Sequence, residues 1–175
     1  MEKTTATKRI YSGKIINVRV DDVELQDGSM SKREVVEHPG AVAILAVTDN
    51  REAFFVRQYR KPIEKELLEI PAGKLDEGES PQSCAARELA EEVGMAADEL
   101  RQISFHYSSP GFASEKMYVF LATGLKKVDV ARPEGEFLEA FRLPLAEAVS
   151  MARNGDIEDS KTLVALLLAA GIFNL

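Results

Sequence analysis

Three glutamates stand close together near the middle of the chain, at Glu88, Glu91 and Glu92. Spacings of three and four residues bring carboxylates together on one helix face, where each like-charge pair costs roughly 0.2–0.5 kcal/mol. The cation inside the cluster is Arg87, four residues before Glu91. Carboxylate oxygens without His or Cys favour a hard divalent cation, and Mg²⁺ is the available one that also bridges phosphates. The cluster is therefore either a solvated acidic helix face or a Mg²⁺ site.

A helix has to position these carboxylates, and the sequence marks both of its ends. Ser80 is a favoured N-cap residue, and Pro81 is tolerated only at the first helical position. Gly94 can adopt the left-handed conformation that ends a helix. With a rotation of about 100° per residue, four apolar residues lie on the face opposite to the glutamates. These four predicted core residues are Ala86, Leu89, Ala90 and Val93.

The glutamates belong to a longer pattern that begins at Gly73. Five residues separate Gly73 from Glu79, and seven more separate Glu79 from Arg87. The whole window resembles the Nudix box, Gly-x5-Glu-x7-Arg-Glu-U-x-Glu-Glu-x-Gly-U with U aliphatic, and every fixed position is filled. Nine specified positions in one window are far more specific than a short glycine motif. On this pattern the chain is identified as a member of the Nudix hydrolase family.

The resemblance implies a loop–helix–loop that binds Mg²⁺ or Mn²⁺ and hydrolyses a nucleoside diphosphate linked to another moiety. It implies that Glu88 and Glu92 are metal ligands and that Glu91 is a ligand or orients one. It also implies that Glu79 positions Arg87 through a salt bridge. These five side chains form the predicted catalytic and metal-binding group, with Glu79 just before the helix and the other four on it.

The segment before the box supplies further candidates. Glu69-Ile70-Pro71-Ala72-Gly73 resembles the Glu-x-Pro-Ala-Gly run of relatives that cleave ADP-ribose, in which the alanine carbonyl binds metal. The resemblance therefore implies that the Ala72 carbonyl is a metal ligand and that Glu69 is a substrate-binding residue. Arg57 and Arg60 end a predicted strand, and guanidinium groups offer bidentate geometry to an anion. The two arginines are either a phosphate clamp or an exposed strand end.

A loop after the helix gives the clue to substrate. Ser109-Pro110-Gly111 and Glu115 resemble the Ser-Pro-Gly-x-x-x-Glu segment of Nudix ADP-ribose pyrophosphatases, and Pro110 lies fifteen residues after Met95. A proline fixes a turn, so Pro110 and Gly111 are predicted to shape the substrate pocket. The resemblance implies that Glu115 lies near the metal-bound diphosphate. The alternative for Glu115 is an ordinary surface position.

A second polar loop, Gly124 to Gly135, precedes another candidate. In the relatives that cleave ADP-ribose a mobile loop at this point carries a catalytic glutamate. The resemblance implies that Glu136 is this base, with Glu134 or Glu139 as alternatives. A solvated loop without a catalytic role is the other reading of these glutamates.

Alternation of apolar stretches with helical periodicity predicts the fold class. The run from Gly40 to Thr48 is continuously apolar, which is typical of a strand buried on both faces in mid-sheet. Such strands interleaved with helices fit an α/β/α sandwich around a mixed β-sheet, the Nudix fold that the resemblance implies. The other predicted strands are Ala53 to Tyr59 as its partner, Glu66 to Gly73, Arg101 to Tyr107, Met117 to Thr123 and Phe137 to Leu143, and the other predicted helices are Leu145 to Gly155 and Asp159 to Ala170.

The first 38 residues are predicted to form an N-terminal β arm, and residues 39–175 the Nudix hydrolase domain. Strands are predicted at Lys14 to Val20, Val23 to Gln26 and Ser31 to Glu37, with a turn at Asp27-Gly28. Because these strands lack a strong buried face and an isolated hairpin is marginal in water, the arm either packs on a second subunit of a homodimer or covers its own domain.

By resemblance, Arg33 in this arm contacts the adenosine half of substrate bound to the other subunit. The sequence departs from the family at Ile15 and Ile16, where some members stack an aromatic side chain on adenine. Base recognition by this arm is therefore left open, and a GDP-sugar remains an alternative substrate.

Composition excludes several classes of function. A chain of 175 residues with 45% hydrophobic content suits one core, and a net charge of −7 disfavours a nucleic-acid surface. The N-terminus lacks a secretory apolar region, and Leu163 to Phe173 is too short to span a membrane. The single cysteine, Cys84, fits a reducing cytoplasmic location and is predicted to be a buried or neutral thiol rather than a catalytic one.

The predicted activity is Mg²⁺-dependent hydrolysis of the pyrophosphate bond of ADP-ribose, to AMP and ribose 5-phosphate, or of a closely related nucleoside diphosphate sugar. One alternative is another nucleoside diphosphate derivative, such as a GDP-sugar, NADH or a diadenosine polyphosphate. A further alternative is a ligand-binding regulator without catalysis. The intact carboxylates of the box favour an enzyme.

Overall fold

The computed structural model describes residues 1–130 and 139–175. Contacts divide the chain into two compact units, one of Met1–Gly40 with His106–Lys116 and one of Ala41–Phe105 with Met117–Leu175. The smaller unit therefore includes a loop segment that the predicted domain 39–175 also contains. The domain boundary after residue 38 stays a prediction.

The smaller unit is built on an antiparallel sheet in the order β1-β2-β3. Its strands are β1 Lys3–Ser12, β2 Asn17–Glu24 and β3 Met30–Glu37. Gly28, with a φ of +81°, lies in the turn between β2 and β3, as the sequence predicts. All ten residues of β1 are exposed.

The predicted strand Ser31 to Glu37 agrees with β3, but the boundaries predicted before it were wrong. The chain forms β1 before residue 14, where no strand was predicted, and one continuous β2 where two short strands were predicted. No side chain of β1 is buried, so a hydrophobic alternation was not available to reveal it. The acidic residue Asp21 is tolerated inside β2 because Thr7 and Arg19 both donate hydrogen bonds to its carboxylate.

The loop with Pro110 is fixed to β3 within the smaller unit. The N–H of Val36 donates to the carbonyl of Phe112 at 2.8 Å, and the N–H of Ser114 donates to the carbonyl of Val36 at 2.9 Å. A loop that is bonded on both sides of one strand residue has a defined path. The path of this loop is therefore set by the N-terminal arm.

The larger unit holds two sheets, with orders β7-β4-β9-β8 and β10-β5-β6. The first is mixed, because β4 pairs parallel with β9 and antiparallel with β7. The strands are β4 Ala41–Ala46, β5 Glu52–Arg60, β6 Lys65–Glu69, β7 Ala72–Lys74, β8 Met95–Tyr107, β9 Lys116–Lys127 and β10 Glu139–Pro144. The helices are α1 Pro81–Glu88, followed directly by a π-helical segment Leu89–Val93, α2 Leu145–Asn154 and α3 Ser160–Phe173.

Strand β4 is buried at every position and separates two apolar cores. Val42 and Ile44 pack in the core that contains Leu89. Ala43 and Leu45 point to the opposite face, where the core includes residues of α2 and α3. Helices on both faces of a mixed sheet make the predicted α/β/α sandwich, and the prediction is confirmed.

The predicted pairing of β5 with β4 was wrong. β5 pairs with β10 and β6 in the second sheet. Near β4 it forms an isolated antiparallel bridge between Ala53 and Val47, the residue that follows β4. The two flanks of β4 are already taken by β7 and β9. Because a strand can pair along two edges only, β5 cannot also pair with β4 along its length once β7 and β9 occupy those edges.

The strand predicted from Glu66 to Gly73 is two strands, β6 and β7, in different sheets. The break falls at Ile70 and Pro71. Proline has no N–H for a ladder, and the N–H of Ile70 donates to the side chain of Thr162 at 2.8 Å rather than to a strand. The chain therefore passes from one sheet to the other immediately before the residues of the box.

The two C-terminal helices agree with the prediction and extend it. α2 ends at Gly155, whose φ is +84°, and α3 begins after Asp159, whose side chain accepts from the N–H of Thr162 at 3.0 Å. α3 runs three residues beyond the predicted end, to Phe173. In the described residues, every helix is too short or too polar to cross a bilayer.

Candidate active site

The helix that carries the glutamates begins and ends where the sequence predicts. The Ser80 side chain accepts a hydrogen bond from the N–H of Ser83 at 3.1 Å, and Pro81 is the first helical residue. Gly94 has a φ of +71°, and its N–H donates to the carbonyl of Ala90 at 3.0 Å. An N-cap and a left-handed C-cap thus fix both ends.

The predicted core face of this helix is correct in part. Leu89 is buried and Val93 packs against the same core, whereas Ala86 is exposed and Ala85 is buried instead. Glu88 and Glu92 flank the buried side and are only 8% and 5% exposed. The physical reason is that α1 packs against β7 as well as β4, so that backbone covers the acidic side of the helix. The acidic face is therefore not solvated throughout.

The helix changes its winding at the glutamates. The segment Leu89–Val93, which includes Glu91 and Glu92, is π-helical. A π-helix bonds residues five apart and is found mostly as single turns, frequently at functional sites. Uniform α-helical spacing was expected from the sequence, and the π-helical segment was not predicted.

The carboxylate of Glu88 lies directly against the backbone of Gly73. A Cβ atom built on Gly73 would stand 1.8 Å from both Cδ and Oε1 of Glu88. Gly73 pairs with Val42 in the antiparallel β4–β7 ladder, so its backbone is held in place. The first glycine of the box is therefore required because a glutamate occupies the space of its side chain.

Glu92 contacts the neighbouring residue of β7. Its Oε2 accepts a hydrogen bond from the N–H of Ala72 at 3.0 Å. Ala72 pairs with Ala43 in the ladder with β4. Two buried carboxylates, Glu88 and Glu92, thus meet two consecutive backbone positions of β7.

Arg87 bonds to three of the box carboxylates. Its Nε and Nη2 donate to the two oxygens of Glu79 at 3.0 and 2.9 Å. Its Nη1 donates to Glu88 at 2.7 Å and to Glu91 at 3.0 Å. The predicted pairing of Glu79 with Arg87 is present, and Arg87 also offsets part of the repulsion between Glu88 and Glu91.

This pairing changes the ionisation of both partners. The hydrogen bonds from Arg87 hold the pKa of Glu79 at about 2, below its ordinary 4.5. In turn, the hydrogen bond to Glu79, with those to Glu88 and Glu91, raises the pKa of the Arg87 guanidinium. Because favourable interactions with the ionised forms cause both shifts, the pair is charged across the physiological range.

We expect Glu79→Gln to lower the free energy of unfolding at pH 7 by about 1.5–3 kcal/mol, the range of a hydrogen bond to a charged group. A depressed folded-state pKa stabilises the protein above the unfolded value of 4.5, and this stabilisation is lost as the pH falls toward 2. The difference between wild type and variant should therefore shrink steadily from pH 4.5 to pH 2.

Urea unfolding at several pH values measures this difference. Glu158→Gln is the matched control, because Glu158 forms an exposed pair with Lys65 in which both side chains are 54% exposed. Exposed pairs contribute little to stability. A Glu79→Gln effect that is independent of pH would contradict the charge-based account.

Cys84 is fully buried beside this network. Its Sγ lies 3.5 Å from the carbonyl of Lys74, and burial, followed by the nearby Glu79, raises the pKa of the thiol to about 12. A thiol with a raised pKa is a poor nucleophile. The predicted buried, neutral thiol is confirmed.

Of the two candidate arginines on β5, the structure gives Arg60 a partner with bidentate geometry. Arg60 donates to both oxygens of Glu69, at 2.7 and 2.5 Å, and Glu69 is only 1% exposed. Burial alone raises the pKa of Glu69, but the hydrogen bonds from Arg60 and Lys161 outweigh it and the net pKa is lowered. Arg57 is exposed and lies over the ring of Phe141 at 5.3 Å.

The polar residues that complete this cluster were not predicted from the sequence. Lys161 donates to Glu69 and, at 2.8 Å, to Asp159. The available signal was the run Asp159-Ser160-Lys161-Thr162 directly before an apolar helix, which is typical of an N-cap. That run could indicate a helix start but not its contact with Glu69.

Four candidates lie in the smaller unit. Arg33, Pro110 and Gly111 line one cleft of about 510 Å³, together with Tyr107 and Phe112. Arg33 pairs with Glu2 in this cleft. The structure thus brings these three predicted substrate-binding residues together.

Glu115, the fourth candidate of the smaller unit, has partners of its own. It accepts a hydrogen bond from Ser108 Oγ at 2.5 Å, and its Oε1 lies 3.6 Å from Nδ1 of His38. Its side chain is 28% exposed. The Glu115 carboxylate is therefore held by Ser108 of its own loop and lies close to His38.

The proposed catalytic base lies outside the described residues. Glu136 and the alternative Glu134 both fall in the range 131–138. The other alternative, Glu139, is the first residue of β10 and stands opposite Arg57 in the ladder with β5. The assignment of the base therefore stays a prediction.

The chemistry of the helix suits a hard divalent ion. Its donors are the carboxylate oxygens of Glu88, Glu91 and Glu92, and a hard divalent ion prefers oxygen ligands. Among residues 1–130 and 139–175, however, no three acidic, His or Cys side chains converge on one point. Arg87 holds Glu88 and Glu91 instead. The donor set fits a metal ion if these two carboxylates turn from Arg87 toward it.

Comparisons with known proteins agree with the motif. A NUDIX domain model matches residues 37–166, and a model named nucleoside diphosphate sugar hydrolase N-terminal domain matches residues 2–36. A Bacillus subtilis (strain 168) protein named ADP-ribose pyrophosphatase is 48% identical over 167 residues, which is 94% of this chain and 90% of the relative. A Bacillus methanolicus protein named methanol dehydrogenase activator is 46% identical, with the same coverage of both chains. A crystal structure of an ADP compounds hydrolase matches at a TM-score of 0.86 and 26% identity, and covers 99% of this chain and 94% of that one.

Proposed function

The chain belongs to the Nudix hydrolase family, and we propose that it cleaves the diphosphate of ADP-ribose or of a closely related nucleoside diphosphate sugar. For ADP-ribose the products are AMP and ribose 5-phosphate. Nudix hydrolases as a family depend on divalent metal ions, and we propose Mg²⁺ for this chain, with Mn²⁺ as a substitute.

One arrangement carries this proposal. The carboxylate of Glu92 bonds to the amide of Ala72, and the carboxylate of Glu88 fills the side-chain space of the adjacent Gly73. Two buried carboxylates beside two consecutive backbone positions bring oxygen donors together at β7. We assign Glu88, Glu91, Glu92 and the Ala72 carbonyl as the metal ligands.

A bound divalent ion neutralises a diphosphate and lowers the pKa of a coordinated water. The protein's contribution is to hold the ligands and to orient substrate. Arg87 bridges Glu88 and Glu91 through one nitrogen, Nη1, and is itself held by Glu79. Glu136 is assigned as the base that aligns or deprotonates the attacking water.

The arginines of β5 supply cationic contacts for the phosphates. Arg60 is oriented by Glu69, whose two oxygens both accept from it. We therefore propose that Glu69 acts on substrate through Arg60, since its own carboxylate is buried. Arg57 is exposed at the end of the same strand and offers a second donor.

Similarity supports the nucleoside diphosphate sugar class. The relative named ADP-ribose pyrophosphatase is 48% identical, and the matching N-terminal model is named for nucleoside diphosphate sugar hydrolases. We place the nucleoside half of substrate at the cleft with Arg33, Pro110 and Gly111, and Glu115 toward the diphosphate. A GDP-sugar is the alternative, because Ile15 and Ile16 offer no aromatic ring for adenine.

We propose a cytoplasmic homodimer in which the N-terminal arm packs on the second subunit and contributes Arg33 to its site. The support is the exposure of all ten residues of β1, among them Ile10 and Tyr11 at 54% and 56%. Light scattering on the purified chain should then give twice its 19.3 kDa.

A substrate panel tests the activity directly. The full chain is incubated with Mg²⁺ and ADP-ribose, GDP-mannose, NADH, a diadenosine polyphosphate or dGTP, and products are separated by chromatography. We expect kcat/KM to be highest for ADP-ribose, with AMP and ribose 5-phosphate formed in equal amounts and no reaction after chelation of the metal. A higher value for GDP-mannose would move the assignment to the GDP-sugar class.

The relative named methanol dehydrogenase activator supports a second candidate, a role in activating another enzyme. This role and hydrolysis are distinguished by the same panel. Absence of turnover with every substrate, combined with saturable binding of ADP-ribose, would favour the regulator and reject the hydrolase.

A further inference from the structure

The first turn of α3 is bonded to the segment that leads into β7. Asp159 caps α3, and its Oδ2 accepts from the N–H of Thr162 at 3.0 Å and from the hydroxyl of Thr162 at 2.6 Å. Since Thr162 Oγ1 donates its proton to Asp159, the lone pairs of the oxygen are directed elsewhere. One of them accepts the N–H of Ile70 at 2.8 Å, ninety-two residues away in sequence.

The residue before Ile70 is held by the same turn. Lys161, only 7% exposed, donates to Glu69 and also, at 2.8 Å, to Oδ1 of Asp159. Asp159 therefore anchors both Lys161 and Thr162, and each of these bonds one residue of the pair Glu69-Ile70. Charged and neutral contacts together fix this pair in a site that excludes water.

The following two residues are held from the opposite side. The carbonyl of Pro71 accepts from the N–H of Ile44 at 2.8 Å, and Ala72 pairs with Ala43, both in β4. The N–H of Ala72 then donates to Glu92 at 3.0 Å. Each residue from 69 to 72 thus has a partner in another element, and the last of these partners is a proposed metal ligand.

We propose that Thr162 is a positioning residue for divalent-metal binding, although it touches neither metal nor substrate. Its hydroxyl fixes Ile70, and the short path through Pro71 sets the position of the Ala72 carbonyl and of Glu92. The inference rests on the proposed function, which makes these two groups metal ligands. Loss of a group that orients a metal ligand commonly weakens metal affinity by roughly 10–100-fold.

Mn²⁺ binding to the full chain without substrate tests the proposal, with electron paramagnetic resonance reporting the free ion. Thr162→Val keeps the shape of the side chain and removes the hydroxyl, so the dissociation constant for Mn²⁺ should rise by roughly 10-fold. Thr162→Ser keeps a hydroxyl at this position, so its dissociation constant for Mn²⁺ should lie within about threefold of the wild-type value. This change is small compared with the roughly 10–100-fold weakening expected when an orienting group is lost.

A destabilised control separates positioning from general loss of stability. Val149→Ala alters a buried residue of α2, so it should lower the melting temperature and leave Mn²⁺ affinity unchanged. Equal weakening of Mn²⁺ binding in Thr162→Val and Val149→Ala would overturn the positioning role, as would wild-type affinity in Thr162→Val. If Thr162→Val does not fold, Thr162→Ala decides the question by the same measurement, because it removes the same hydroxyl bond to Ile70.

Failure of this inference is distinguishable from failure of the proposed function. Hydrolysis of ADP-ribose by the wild type, with unchanged Mn²⁺ affinity in Thr162→Val, rejects the positioning role alone. Mn²⁺ binding that depends on the Thr162 hydroxyl, without hydrolysis of any panel substrate, rejects the hydrolase and supports the positioning role.

Discussion

Glu92→Gln should lower kcat by at least about 100-fold, in line with the loss of a charged group that stabilises a transition state. The glutamine has the same shape and can still accept from the N–H of Ala72, which Glu92 bonds at 3.0 Å. What it loses is the negative charge, on a side chain that is only 5% exposed. Low exposure leaves little solvent to screen that charge.

Two further variants make this result specific. Glu91→Gln changes a neighbouring carboxylate whose side chain is 20% exposed and bonded to Arg87. This variant should lower kcat less than Glu92→Gln does. Glu147→Gln changes an exposed glutamate in the first turn of α2 and should leave kcat unchanged. Rates are compared at saturating ADP-ribose and Mg²⁺, with circular dichroism to confirm folding. Unchanged turnover in Glu92→Gln would refute its assignment as a ligand.

Features that depend on one or two neighbouring residues were predictable from the sequence. Ser80, Pro81 and Gly94 fix the helix ends through local backbone chemistry, and the structure has the caps that they predict. The continuous apolar run that forms β4 likewise needed no knowledge of its partners. Local propensity and burial agree at these positions, so a single sequence contains the information.

Features that depend on distant partners were not predictable. β1 has no buried face, so its residues show no apolar alternation. The edges of β4 are occupied by β7 and β9, which the local sequence of β5 cannot indicate. The core side of α1 depends on β7 covering Glu88, and this contact is set by the fold.

The candidate site shows the same division. The pairing of Glu79 with Arg87 follows from the motif and is present. The placement of Glu69 differs from a simple substrate contact, because the carboxylate is buried between Arg60 and Lys161. Lys161 follows Glu69 by ninety-two residues, and no spacing rule links positions so far apart.

Gly73→Ala is expected to abolish most of the activity while the protein remains folded. The added Cβ would stand 1.8 Å from the carboxylate of Glu88, so that side chain must leave its place. The backbone of Gly73 has no positive φ and can accept alanine without strain. Displacement of one ligand by an ångström or more is enough to lower kcat by about 100-fold, whereas moving the end of a flexible side chain should cost about 1–3 kcal/mol of stability.

A double-mutant cycle with Glu88→Ala identifies the cause. If Gly73→Ala acts by displacing Glu88, it should have almost no further effect on kcat once the carboxylate has been removed, so the two changes should be strongly non-additive. Gly171→Ala is the control for alanine at a glycine, since nothing lies within 4 Å of a Cβ there. Being inside α3, it should leave kcat unchanged and raise the free energy of unfolding by about 0.5–1 kcal/mol. Additive losses of kcat in the Gly73–Glu88 cycle would contradict this account. They would mean that Gly73 is needed for the structure of β7 itself and not to make room for the Glu88 carboxylate.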